Sequence, residues 1–253
     1  MPFSVLILFV VNGGVLGLFA IFAIFIYPRR EVSAETKNRE KSFVTNAVFR
    51  EYWYFFIGPV KKKLVDWNVS PNTLTVWGLI LSCFAGYFFS IGDFGTGGWF
   101  VILAATCDIY DGQLARLRAI SLKSGAFLDS TLDRVGEVAI FYGLTRYFRD
   151  NDPLFIVLFL GFAASAVVSY SRSRAEGLGF PELGRRGFFQ RAERMVVLSV
   201  TMSMAPLFDY FWGLGDGIVK FGIYFMCIGS TWTAVSRSAG IFRGMRKVEK
   251  AQR

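Results

Sequence analysis

Histidine is missing from this 253-residue chain. Its absence excludes the Ser-His-Asp triad, the His-ligated zinc centre and the imidazole general base. Acid–base chemistry must then fall to carboxylates, Lys, Tyr or Cys. Cysteine is scarce as well: Cys83, Cys107 and Cys227 are far apart, each in an apolar run. They give no disulfide framework and read as small buried hydrophobes. Internal repeats and low-complexity segments are also lacking. Charged residues make up only 19% of the chain.

What is abundant is apolar surface. The chain is 53% hydrophobic and 17% aromatic, and the apolar residues come in long runs separated by short polar loops. Runs of about 20 residues match the thickness of a bilayer crossed by a helix. A transmembrane barrel would alternate in segments of about 10 residues, and no such alternation is present. The expected fold is an all-α integral membrane protein. Seven spans are expected: Phe3 to Tyr27, Asn72 to Ile91, Gly97 to Leu114, Phe127 to Tyr147, Pro153 to Tyr170, Met195 to Phe208 and Ile218 to Ser236. The first lacks a basic n-region and is long for the h-region of a signal peptide, so it reads as an anchor. Between the first two spans, Phe49-Arg50-Glu51-Tyr52-Trp53-Tyr54-Phe55-Phe56 suits an amphipathic helix lying in the headgroup region. The expected divisions are an N-terminal span (1–27), a cytoplasmic linker with the interfacial helix (28–66), a six-span core (67–237) and a basic cytoplasmic tail (238–253).

The net charge of +9 could suggest nucleic acid, but its distribution favours another cause. Arg29, Arg30, Lys37, Arg39, Lys41, Arg50 and Lys61 to Lys63 share one segment. Arg116, Arg118 and Lys123 share a second, residues 172–194 a third, and Arg243, Arg246, Lys247, Lys250 and Arg253 the tail. The intervening loops carry little beyond Arg146 and Arg149. Such alternation places every basic loop on the cytoplasmic side, so the bilayer is the expected partner and nucleic acid is not.

Chemistry concentrates in one stretch. Asp108 and Asp111 are three apart, and Asp129 and Asp133 four apart, so each pair shares a helix face. A short loop joins the two segments, which predicts an antiparallel hairpin with the acidic faces meeting near the cytoplasmic surface. Four carboxylates so placed repel one another unless something compensates, and ionisable groups within a span are costly and usually functional. Divalent metal is the natural compensation, because hard carboxylate oxygens suit Mg²⁺ or Mn²⁺, and Mg²⁺ completes its shell with phosphate oxygens. Gly112 and Ala115 would let a flat or phosphorylated group approach closely, Arg116 offers a planar fork of donors, and Gly125 opens the next helix.

The pattern D-x-x-D-G-x-x-A-R-x(8)-G-x-x-x-D-x-x-x-D, filled at every fixed position from Asp108 to Asp133, resembles the CDP-alcohol phosphotransferase family. Ser70-Pro71-Asn72-Thr73-Leu74-Thr75 is similar to the opening of that family's first core helix. The resemblance implies six core spans preceded by an interfacial helix, and a CDP-linked lipid as donor. Asp108, Asp111, Asp129 and Asp133 would then hold two Mg²⁺ or Mn²⁺ ions, with Asp133 doubling as general base. Gly112, Ala115, Arg116, Gly125, Asn72 and Thr75 would line the CDP site.

Ser169-Tyr170-Ser171-Arg172-Ser173-Arg174-Ala175-Glu176 and Arg191-Ala192-Glu193-Arg194 resemble the prokaryotic branch that uses inositol phosphate, although Arg172 stands where that branch has lysine. The implied acceptor is a small phosphorylated polyol, inositol phosphate ahead of glycerol 3-phosphate. Ser169, Arg172, Arg191 and Arg194 would receive its phosphate, among a wider crowd that includes Arg174, Arg185 and Arg186. The resemblance further implies a homodimer in a prokaryotic plasma membrane, with the site facing the cytoplasm. The competing class is a polytopic cation transporter or channel with an acidic pathway. A purely structural protein would leave the aspartates unexplained. The span Phe3 to Tyr27 lies beyond the family core and is given no role.

Overall fold

A computed structural model describes residues 3–37, 46–118, 122–185 and 189–251 of the chain. Arg39, Lys41, Arg186 and Arg253 of the expected basic segments lie outside the described residues, and Arg185 is described by its backbone alone. Among the described residues the protein is helical throughout: α1 (Phe3–Ile21), α2 (Ala34–Lys37), α3 (Ala47–Asp66), α4 (Pro71–Ser90), α5 (Phe94–Leu117), α6 (Lys123–Tyr147), α7 (Asp152–Gly177), α8 (Pro181–Arg185), α9 (Arg191–Trp212) and α10 (Gly215–Ala251). A π turn and a 3₁₀ turn carry α1 on to Arg29.

Among the described residues, five stretches are long and apolar enough to cross a bilayer: Phe3–Arg29, Pro71–Ser90, Asp152–Gly177, Arg191–Trp212 and Gly215–Ala251. Helices α5 and α6, at 24 and 25 residues, have the length but not the apolarity, because they carry the carboxylates. The protein is an integral membrane protein whose two least apolar long helices are held inside a bundle. The six long helices α4, α5, α9, α10, α7 and α6 form a closed ring in that spatial order, each packed on the next. Their inward residues make one core, including Phe89, Val101, Leu144, Leu158, Leu198 and Ile223, toward the half of the ring away from the carboxylates.

One expectation changes. Helices α5 and α6 do not pack along one another as a hairpin; α4 lies between them and packs extensively on both. The cause is the small face of α4. Gly78 sits against Ala104 and Cys107 of α5, Ser82 against Gly136 of α6, and the Gly86 backbone against Gly143. A Cβ at Gly86 or Gly143 would collide with the opposing backbone, so only glycine allows this approach. Helix α10 continues as one 37-residue helix to Ala251, so the expected basic tail is helical over its described residues.

Helix α3 is capped by Asn46, whose side chain accepts from the Phe49 N–H at 2.9 Å. It lies over the polar end of the ring, where Tyr110 donates to the Ile57 carbonyl at 3.0 Å and Ile57, Leu74, Tyr110 and Leu114 cluster. Helix α1 docks outside the ring on α9, where the buried Asn12 amide donates to the Ser203 carbonyl at 3.0 Å.

Candidate active site

The polar end of the ring collects the C-terminus of α5 and the N-termini of α4, α6 and α9. Pro71, set after Ser70, starts α4 without needing a hydrogen-bond partner for its nitrogen. One turn on, the Thr75 hydroxyl donates to Asp111 Oδ2 at 2.8 Å. Asp108 and Asp111 come from the last turns of α5, and Asp129 from the first turns of α6. One carboxylate oxygen from each of Asp108, Asp111 and Asp129 lies within 4.8 Å of the other two. Asp129 Oδ1 is buried and has no hydrogen-bond partner among the described residues. Three converging carboxylates with an orphaned buried oxygen fit a hard divalent cation.

Asp133 lies one turn further along α6, outside that group of three. It is paired instead with Arg191, whose Nη1 also lies 3.7 Å from Asp108 Oδ1. Arg191 is the first residue of α9, fixed by a capping box in which the Gln190 N–H donates to Glu193 Oε2 at 2.8 Å. Behind them, Arg194 is fully buried and its Nη2 donates to Glu137 Oε1 at 2.9 Å. Ser165 also donates to Glu137 Oε1, at 2.6 Å, and Arg134 donates to Oε2 at 2.9 Å. Arg194 therefore faces this internal network and does not line the cavity.

The remaining expected residues divide. Gly112 lies beneath the Arg116 guanidinium, 3.3 Å from where a Cβ would stand, and both border a cavity of about 1070 Å³. Asn72 Oδ1 would meet a Cβ on Gly125 at 3.5 Å, so these two are neighbours at the starts of α4 and α6, and neither lines the large cavity. Thr75 sits in a smaller space of about 20 Å³ enclosed also by Asp108, Asp111, Asp133 and Arg191. Ala115 is half-buried and outside the cavity lining. Arg172 lines the large cavity and pairs with Glu176 at 3.0 Å. Ser169 does not line it, and donates to the Ser165 carbonyl at 3.3 Å.

Glu137 was not singled out by the sequence reading. Its signal was present: Asp129, Asp133 and Glu137 continue one i, i+4 series on α6.

The large cavity joins chemically different ends. Asp108, Gly112, Arg116, Asp133, Arg172 and Arg191 surround one end. Val15, Leu16, Phe19, Val196, Val200 and Met204 surround the other.

Comparisons with known proteins agree with this arrangement. Residues 68–228 match the model of the CDP-alcohol phosphatidyltransferase family. A phosphatidylinositol phosphate synthase of Streptomyces avermitilis is 31% identical over 211 residues, covering 81% of this chain and 86% of that protein. An archaetidylinositol phosphate synthase of Pyrococcus horikoshii is 31% identical over 190 residues, covering 75% of this chain and 91% of its own length. Among solved structures, the phosphatidylinositol phosphate synthase of Mycobacterium tuberculosis with CDP-DAG bound superposes with a TM-score of 0.64 at 26% identity, over 73% of this chain and 92% of that one. The same enzyme in complex with manganese and citrate also gives 0.64, over 73% and 88%.

Proposed function

This chain belongs to the CDP-alcohol phosphatidyltransferase family, and we propose that it moves a phosphatidyl group from CDP-diacylglycerol to a hydroxyl of inositol phosphate, releasing CMP. One observation carries the reading: a three-aspartate group whose Asp108 opens onto a large cavity that continues between mainly apolar residues of α1 and α9. That shape fits a donor with a charged diphosphate at one end and hydrocarbon at the other. The family match and the named relatives do not support the cation-transporter alternative.

Asp108, Asp111 and Asp129 are the residues proposed to hold Mg²⁺ or Mn²⁺, with Thr75 orienting Asp111. Metal there would offset the charge of the diphosphate and of the departing CMP. Gly112 and Arg116 give the nucleotide a surface without a side chain at Gly112 and a guanidinium beside it, and the neighbouring pair Asn72 and Gly125 is proposed to complete the site. Asp133, with no histidine in the chain, is the group proposed to take the proton from the acceptor hydroxyl as its oxygen attacks the β-phosphorus. Arg191 supports this role, since it holds Asp133 in place and can transfer part of its attention to the acceptor's phosphate as that phosphate arrives. Arg172 is the second residue proposed to donate hydrogen bonds to the acceptor's phosphate. Arg194 acts through Glu137, which sets the α6 face carrying Asp133.

The basic segments and the bacterial and archaeal relatives support a prokaryotic plasma membrane with the site toward the cytoplasm. A homodimer is proposed from family membership alone. The test supplies CDP-diacylglycerol and Mn²⁺ or Mg²⁺, varies the acceptor, and follows CMP. Release should be fastest with inositol phosphate, slower with glycerol 3-phosphate and negligible with unphosphorylated inositol. Fastest release with unphosphorylated inositol would overturn the acceptor assignment, and no release with any acceptor would overturn the reaction.

A further inference from the structure

Helix α1 lies outside residues 68–228, yet it walls the large cavity. Its contributions are Asn12, Val15, Leu16 and Phe19, an i, i+3, i+4, i+7 set on one face. Two polar contacts pin that face. Toward its N-terminus, Asn12 donates to the Ser203 carbonyl of α9 at 3.0 Å. Toward its C-terminus, Tyr52 of α3 donates to the Val15 carbonyl at 2.9 Å, and its ring stands edge-on to Phe19 at 5.1 Å. A buried amide in a span is costly unless satisfied, so the Asn12 contact fixes where α1 meets α9. Before that contact α1 is tight on the ring: Leu8 lies against Gly95 beside Pro206, and Phe9 is 5.9 Å from Phe211. Beyond it, the cavity occupies the space between α1, α3, α5 and α9.

The cavity is lined along α9 from Arg191 to Met204. Thirteen residues at helical rise span about 20 Å. One leaflet of hydrocarbon is about 15 Å deep. The space thus leads from Asp108 and Arg116 to the depth of a leaflet's hydrocarbon, where Leu16, Val196, Val200 and Met204 line it beside Asn12, Ser199 and Ser203. Its depth and its continuity with the charged end argue for the chain of a lipid whose phosphates sit at that end.

We propose that α1 and α3 form the outer wall of a tunnel for one hydrocarbon chain of the lipid-linked donor, and that Leu16 and Phe19 set which chain lengths it accepts. The proposal rests on the donor being a CDP-linked lipid. Leu16→Trp narrows the tunnel and Phe19→Ala widens it, and both residues are on α1, which carries none of the reacting groups. The test compares kcat/KM for CMP release from CDP-dioctanoylglycerol and CDP-dioleoylglycerol, for wild type and each variant of the full-length protein.

In Leu16→Trp, kcat/KM for the long-chain donor should fall about tenfold or more while that for the short-chain donor changes less than about twofold, as filling an apolar pocket discriminates by size. Phe19→Ala should move the long-to-short ratio the other way. If Leu16→Trp is inactive on both donors, the Phe19→Ala ratio decides. A ratio equal to wild type in Phe19→Ala, or in an active Leu16→Trp, overturns the tunnel. Wild-type protein that releases no CMP from either donor overturns the proposed function instead.

Discussion

Two acidic clusters meet through α6, where Asp129 and Glu137 stand about two turns apart, and they are compensated in opposite ways. Glu137 is 3% exposed and surrounded by partners: Arg194, Arg134 and Ser165 all donate to it. The Asp108, Asp111 and Asp129 group shares Thr75 and the reach of Arg191, and leaves Asp129 Oδ1 buried without a partner. Buried charge is tolerated when paired and hydrogen-bonded, and an orphan marks a place where something else binds. In one cluster both Glu137 oxygens are satisfied by donors within the protein, while Arg194 Nε and Nη1 are buried without hydrogen-bond partners among the described residues, and its contacts tie α6, α7 and α9 together. The other leaves a carboxylate oxygen open, as the proposed metal site requires. Asp133 lies between them, outside the group of three aspartates and tied to Arg191.

The sharpest way to break this contrast is to neutralise one carboxylate of each kind. Asp133→Asn should lower turnover by about 10²- to 10⁴-fold, the usual contribution of a positioned base, while donor binding and thermal stability stay near wild type. Near-normal CMP release would remove Asp133 from the base role. Glu137→Gln should do the reverse. It leaves the fully buried Arg194 without its countercharge, which costs about 3–5 kcal/mol and should appear as a large drop in unfolding temperature in detergent. An unfolding temperature equal to wild type would mean that the Glu137 network does not hold the ring.

Metal gives the next largest difference. Mn²⁺ at about 100 times its Kd should stabilise the wild type by about 2.7 kcal/mol. The shift should vanish in Asp111→Asn, which should itself unfold no earlier than wild type without metal, because one repelling charge is gone. A full Mn²⁺ shift in Asp111→Asn would show that the ion sits elsewhere. Thr75→Val removes the hydrogen bond that orients Asp111 and should weaken Mn²⁺ binding by about 10- to 100-fold. Titration of Mn²⁺ against the unfolding temperature measures both.

Much of this was legible in the residue spacing. The two aspartate pairs, the glycine at 112 and the arginine at 116 declare a phosphate-handling face because helical periodicity fixes which side chains are neighbours. The route by which those faces meet was not legible. It depends on α4 entering between α5 and α6, which follows from the pairing of Gly86 with Gly143 and Ser82 with Gly136 across 50 or so residues of sequence. The part played by Arg194 was hidden for a similar reason: a basic residue beside a membrane looks the same in sequence whether it faces solvent or a buried Glu137. The inner face of α1 was masked because a span is apolar all round, so Asn12 was its one polar marker.

Glu51 extends the contrast to a third buried carboxylate, one compensated mainly by hydroxyls. It is 1% exposed, and its Oε1 accepts from Ser33 Oγ at 2.5 Å, Thr36 Oγ1 at 2.6 Å and the Ser33 N–H at 3.1 Å. Arg30 Nε is 3.9 Å from Oε2. Burial by itself pushes the Glu51 carboxyl up, but the Ser33 and Thr36 hydrogen bonds, aided by Arg30, outweigh it and hold the group below its ordinary value of 4.5. A carboxylate with a depressed folded value stabilises the fold above its unfolded value and loses that contribution as pH falls through the folded one. The unfolding temperature of wild type relative to Glu51→Gln should therefore be constant at neutral pH and decline only below about pH 4.5. Taking the difference cancels the titration of the distant aspartates. A difference that grew on acidification would mean that Glu51 is protonated in the fold, and that hydroxyls alone do not compensate a buried charge here.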